Sequence, residues 1–101
     1  MEYTKHVKEQ YCEIAIKGRF TFSDHKEFKN IFNLLSENNV QSIRLNFTNV
    51  EFIDSAALGI LLLARDEAQK YSKNLVIQSP TGQVKQMFEV SRFYDLFNIE
   101  G

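Results

Sequence analysis

Two hydrophobic periods alternate along this chain. Between residues 11 and 17, Cys12, Ile14 and Ile16 alternate with Glu13, Ala15 and Lys17, the period of a strand with one buried face. Residues 3–8 repeat the pattern more weakly, with Tyr3, Lys5 and Val7 on one side. The short gap between the two segments predicts an antiparallel hairpin, although Glu9-Gln10 is a poor turn signal. After Phe20-Thr21-Phe22-Ser23-Asp24 the period lengthens. Phe28, Ile31, Phe32 and Leu35 keep the i, i+3, i+4, i+7 spacing of an amphipathic helix. Asp24, with Glu27 three residues on, reads as its start in the manner of a capping box, and Asn38-Asn39 as its end.

Ser42–Phe47 and Asn74–Gln78 are the third and fourth predicted strands, and the longest helix, about Ser55 to Tyr71, lies between them. Ser79-Pro80 offers an N-cap followed by proline at the first helical position. Val84, Met87 and Phe88 give that last helix a buried stripe. The tail from Phe93 to Ile99 keeps an apolar pattern and is expected to dock as a short closing segment. The order β-β-α-β-α-β-α plus tail predicts an α/β domain. Its sheet would be mixed and four- to five-stranded, with an N-terminal antiparallel hairpin, then parallel strand–helix–strand units joined by right-handed crossovers, and helices covering it.

At 101 residues, 44% hydrophobic and 25% charged, the chain is expected to be one globular domain, residues 1–101. Twelve basic against thirteen acidic side chains leave a charge of −1 with no basic cluster, so direct nucleic-acid binding is not expected. No apolar run approaches the roughly 20 residues of a membrane span, and the N-terminus lacks a signal-peptide core. With a single cysteine, Cys12, no internal disulfide forms, which fits a cytoplasmic protein. Cys12, His6 and His25 are the only soft ligands or neutral-pH bases, too few and too scattered for the four ligands of a structural zinc site. The four glycines are isolated, so there is no phosphate loop. No metal, no cofactor and no enzymatic activity are expected. His6 and His25 read as surface residues and Cys12 as core. Most phenylalanines, among them Phe28, Phe32, Phe47, Phe52 and Phe88, also read as core, whereas Phe20 and Phe22 lie near a loop that could face a partner.

The informative stretch runs from Asn46 to Ala64. Asp54-Ser55 follows a strand and a short connection, and immediately precedes a helix. Such a pair commonly serves only as a cap, its oxygens accepting the free N–H groups of the first turn. From Ala56 to Ala64, however, no residue is polar. The first turns are either buried all round or carry an exposed apolar face suited to docking. Gly59 costs about 1 kcal/mol against alanine inside a helix, which predicts a packing reason for it, and the small residues Ala56, Ala57 and Gly59 would let another backbone approach.

Phe52-Ile53-Asp54-Ser55-Ala56-Ala57-Leu58-Gly59 resembles the signature of the STAS domain, as found in bacterial anti-sigma factor antagonists. Gly18-Arg19-Phe20 resembles that family's Gly-x-Leu/Phe step after the second strand, and Ser79-Pro80 with Val84 to Phe88 resembles its last strand and third helix. The family often has Gly where Ala57 stands. Many antagonists carry an acid where this chain has Thr21, the nearest one here being Asp24. The resemblance implies a STAS fold and a phospho-switch. Ser55 is the implied phosphorylation site, and the implied partner-binding set is Ser23, Asp24, Asp54, Ser55, Ala56, Ala57, Leu58 and Gly59. The unphosphorylated form would bind a serine protein kinase of the GHKL type, often the anti-sigma factor itself. Phosphorylation would release it and a PP2C-type phosphatase would reset it, the free protein being mainly a monomer. Two other outputs fit the same resemblance: control of motility, chemotaxis or biofilm signalling, and a non-switching subunit of a transport complex. Phosphorylation on Asp54 itself is disfavoured, since Glu9 and Glu13 are isolated and no acidic pair at a strand end could hold magnesium.

Overall fold

A computed structural model describes residues 1–9, 11–34, 36–37 and 40–101. Five strands, β1 (Glu2–Val7), β2 (Tyr11–Phe20), β3 (Ser42–Ile53), β4 (Asn74–Gln78) and β5 (Asn98–Glu100), form one sheet in the order β1-β2-β3-β4-β5. β1 pairs antiparallel with β2, and every later pair is parallel. The α/β fold class and the opening hairpin are as predicted. The tail supplies the fifth strand, because Ile99 pairs with Ile77.

The helices α1 (His25–Leu34), α2 (Ser55–Lys70) and α3 (Gly82–Val90) join successive parallel strands. All three crossovers step the same way across the sheet, so a common handedness puts all three helices on one face. The burial alternation agrees. Cys12, Ile14, Ile16, Ile43, Leu45 and Phe47 are buried beneath the helices, whereas Glu13, Ala15, Arg44 and Asn46 point to the other side. That second face is polar and open, laced by Glu2–Lys17 at 3.2 Å and Arg44–Glu100 at 2.9 Å. Such exposed pairs each add roughly 0–1 kcal/mol.

The core is a line of phenylalanine rings. Phe28 stacks on Phe20 at 5.2 Å, and Phe20 meets Phe47 edge-on at 6.3 Å. Phe47 touches Phe88 at 5.8 Å, Phe88 stacks on Phe93 at 5.2 Å, and Phe93 on Phe97 at 5.0 Å. This line ties α1, β2, β3, α3 and the tail together, each ring pair adding about 0.5–1.5 kcal/mol beyond its buried area. Phe20 is therefore core. Phe32 and Phe52 are only half-buried, the Arg19 guanidinium lying 4.1 Å over the Phe52 ring. His6 is exposed and His25 half-exposed.

Several expectations change. The segment after Phe47 is not a connection: β3 continues to Ile53, with Lys17 paired to Asn49 and Phe20 to Ile53. Two register shifts give β3 an extra residue each, so its buried positions fall at 47, 50 and 53 and the strict alternation is lost. Asn46 Oδ1 satisfies the Thr48 N–H at the first shift, at 3.0 Å. Gly18 sits at the second with φ +90, a conformation open to glycine. Asp24 does not cap α1. It ends a preceding 3-10 turn, Phe22–Asp24, and its carboxylate folds back to accept the Thr21 N–H at 2.8 Å. Ser79 is not the N-cap of α3 either. It adopts φ +56 and bonds Glu100 O at 2.7 Å, and Thr81 takes the cap position. The predicted end of α1 at Asn38-Asn39, its stripe residue Leu35, and Gln10 of the hairpin lie outside the described residues.

Cys12 is fully buried. Burial raises its thiol pKa, with Lys5 lowering it and Glu37 raising it to lesser extents. In the unfolded chain the thiol titrates at its ordinary, lower pH, and above that pH the unfolded state has lost a proton that the folded state keeps. Stability from this group is whole below that pH and falls as pH rises through the folded value. Urea midpoints at pH 7 and pH 9.5 are expected to show this extra loss in the wild type but not in Cys12→Ala, with the native thiol inert to a thiol reagent. Rapid stoichiometric labelling of the native protein would contradict the assignment.

Candidate functional site

The site is the junction where β3 becomes α2. Asp54 is extended, with φ −101 and ψ 173, and occupies the N-cap position. One carboxylate oxygen, Oδ1, accepts the Ala57 N–H at 2.8 Å, and Oδ2 accepts the Phe22 N–H at 3.3 Å. The first bond caps the helix, worth about 1 kcal/mol. The second ties the turn after β2 to the start of α2. The Asp54 backbone completes the junction, its N–H donating to Phe20 O at 3.3 Å and its C=O accepting the Leu58 N–H at 3.3 Å.

Ser55, the first residue of α2, is exposed. Beyond it the helix has two faces. Ala57, Leu58, Ile60, Leu61 and Ala64 are buried against the core, while Ala56, Gly59 and Leu63 are exposed. Positions 56, 59 and 63 fall on one stripe at helical spacing, and Leu63 is 51% exposed. The apolar run is thus half core and half open surface. Phe22, 68% exposed, lies in the turn that Asp54 ties to the start of α2, its ring stacked on His25 with ring centroids 6.3 Å apart. It is the large apolar residue whose own N–H is bound by Asp54.

The other expected partner residues divide. Ser23 is exposed, its hydroxyl 2.9 Å from that of Thr21. Asp24 is 7% exposed, its carboxylate 2.6 Å from the Met1 α-ammonium. Both line an open cleft of about 890 Å³ that also takes in Lys17, Arg19, Glu51 and Thr81 but not Ser55. Ala57 and Leu58 point into the core. The exposed members are Ser23, Ser55, Ala56 and Gly59, with Asp54 half-exposed.

One residue has no counterpart in the sequence reading. Gln83, in the first turn of α3, accepts the Ile53 N–H at 2.9 Å and donates to Ile53 O at 3.0 Å. A glutamine early in a helix carries no signal of its own, and only the overshoot of β3 past β4 reveals its task.

The comparisons with known proteins fit this geometry. The family model described as Mlab, STAS domain, matches residues 4–98. The chain belongs to the STAS domain family. A STAS-domain containing protein of Pseudomonas aeruginosa (strain UCBPP-PA14) is 30% identical over 90 residues, covering 89% of this chain and 88% of that one. The anti-sigma-B factor antagonist of Staphylococcus aureus (strain NCTC 8325 / PS 47) is 20% identical over 93 residues, 92% of this chain and 86% of that one. Among solved structures, the anti-sigma factor antagonist SpoIIAA in its unphosphorylated form superposes with a TM-score of 0.81 at 18% identity, covering 97% of this chain and 87% of that one. The phosphorylated form of Bacillus SpoIIAA gives 0.73 at 16% identity, covering 97% of this chain and 90% of that one. At such identities the superposition shows the fold: this STAS domain has the architecture of an anti-sigma factor antagonist. Among the described residues no helix is long and apolar enough to cross a membrane.

The expected packing reason for Gly59 is not found among the described residues. Among the described residues, beyond the helix's own backbone, no atom lies within 4 Å of where its Cβ would be. Gly59→Ala is therefore expected to raise stability by about 0.5–1 kcal/mol, read as a higher urea midpoint at unchanged slope. A lowered midpoint would show that the glycine is needed by the fold itself.

Proposed function

We propose that this STAS domain is a phospho-switched binding module of the anti-sigma factor antagonist kind, with Ser55 as the phosphate acceptor. The observation that carries the reading is the setting of Ser55. Its side chain is exposed at the first position of α2, at the head of the open stripe Ala56, Gly59 and Leu63, while Asp54 holds the backbone on either side. Unphosphorylated, that stripe and Phe22 form the docking surface. Small side chains at 56 and 59 allow close approach, and Phe22 supplies the kind of aromatic anchor that dominates interface energy.

Phosphorylation adds about −1.5 to −2 charge. The first turn of α2 tolerates it, because the positive end of the helix dipole faces an anion there. A docked partner does not, since it would have to desolvate the new charge beside Asp54, at several kcal/mol unless it is paired. About 4 kcal/mol suffices for a thousandfold loss of affinity, so release needs no refolding. The partner fitting this cycle is a serine protein kinase of the GHKL type that is also the anti-sigma factor, with a PP2C-type phosphatase as the reset. The chain itself supplies no catalysis and works free in the cytoplasm as a monomer.

A pull-down from lysate with wild-type and Ser55→Asp baits, followed by phosphopeptide mapping with the kinase recovered, tests the reading. Wild type is expected to retain a serine kinase and to be phosphorylated stoichiometrically at Ser55. Ser55→Ala should bind without being modified, and Ser55→Asp should bind at least about tenfold more weakly, a difference of about 1.4 kcal/mol. Stoichiometric phosphorylation of Ser55→Ala, or wild-type affinity in Ser55→Asp, would overturn it.

A further inference from the structure

β3 outruns its neighbour. β4 stops pairing at Gln78, opposite Asn46, whereas on its other side β3 stays paired with β2 as far as Ile53 opposite Phe20. Successive residues of a strand aim their N–H and C=O groups to opposite sides. Asp54 N–H bonds Phe20 O on the β2 side, so the N–H and C=O of Ile53 face the side where β4 is missing. Ile53 is buried, and backbone groups left unpaired there would be costly. Both are taken up by one side chain, through Gln83 Oε1 at 2.9 Å and Gln83 Nε2 at 3.0 Å. A primary amide presents an acceptor and a donor side by side without charge, as a neighbouring strand would. Gln83 is the second residue of α3, and α3 is held on the sheet by Phe88 against Phe47.

We propose that Gln83 is a positioning residue for Ser55. Its amide replaces the missing strand partner at Ile53 and fixes, two residues upstream, the junction that presents the Ser55 hydroxyl. Asp54 anchors that junction to the turn after β2, and Gln83 anchors it to the first turn of α3. The coupling is reciprocal: displacing the first turn of α3 alters what Ser55 presents, and a charge arriving at Ser55 is felt at Gln83. This inference rests on the reading of Ser55 as the switch residue.

Residue-resolved amide exchange on the full chain tests it. In Gln83→Ala, the hydrogen-bonded amides of Ile53, Asp54 and Ala57 are expected to exchange about tenfold faster, the effect of losing roughly one buried hydrogen bond, with Leu45 and Ile77 within twofold of wild type. Equal acceleration at all five positions would mean general destabilisation. That outcome, or no change at Asp54 and Ala57, overturns the proposal. Gln83→Glu supplies a pH-dependent rescue. An ionised carboxylate accepts from Ile53 N–H but cannot donate to Ile53 O, whereas the protonated acid offers the same donor and acceptor as the amide. The Ile53 and Ser55 amide resonances of Gln83→Glu are expected to be displaced from wild-type positions at pH 7 and to return to them as the introduced carboxyl is protonated. Failure to return overturns the proposal. The two readings fail separately. Phosphate mapped away from Ser55 removes the switch residue without touching the exchange pattern, and a uniform exchange response removes Gln83 with the mapping intact.

Discussion

Everything at the candidate site depends on one carboxylate. Asp54 accepts the Ala57 N–H with one oxygen and the Phe22 N–H with the other, so a single side chain starts α2 and pins the turn after β2 against it. Few residues could do both. Asparagine offers only one oxygen, and serine or threonine would cap the helix without reaching Phe22. Because the backbone at Asp54 is also bonded on both sides, to Phe20 and Leu58, Ser55 follows a point with no freedom and is itself open to solvent. A rigid support beneath an accessible hydroxyl is what a modifiable position requires.

The second constraint is that α2 serves two surfaces. Its inner side carries Ala57, Leu58, Ile60, Leu61 and Ala64 into the core, and its outer side leaves Ala56, Gly59 and Leu63 uncovered. An apolar outer stripe gains nothing for the isolated fold, and Gly59 lowers helix stability without relieving any crowding. Local rules of helix construction are broken where no contact among the described residues explains it, which is characteristic of surfaces kept for a partner. The line of phenylalanine rings from Phe28 to Phe97 supplies stability elsewhere, so the stripe is free to be governed by interaction.

Much of this was legible in the residues. The alternation at Cys12, Ile14 and Ile16 marked β2, the run Asn74–Gln78 marked β4 at its observed limits, and the stretch Phe52 to Gly59 located the junction. What escaped has physical causes. β3 appeared to end at Phe47 because two extra residues reset the inward positions to Val50 and Ile53, and a period-two reading cannot follow a bulge. Asp24 and Ser79 look like caps in isolation, but tertiary bonds claim both, Asp24 turning back to Thr21 and Ser79 bonding Glu100. β5 is three residues long, too short for periodicity to announce. Gln83 was invisible for a different reason: its role is set by the unequal lengths of β3 and β4, and no local pattern encodes that.

The central claim is that one phosphate at Ser55 changes the docking surface and leaves the fold alone. Phosphoserine introduced at position 55 during translation, followed by comparison of amide resonances with the unmodified protein, tests it directly. Changes are expected at Phe22, from Asp54 to Gly59 and at Gln83, with Leu45, Phe47 and Ile77 unmoved. Changes spreading through Phe20, Phe47 and Phe88 would show that the phosphate rearranges the core, and would contradict the account.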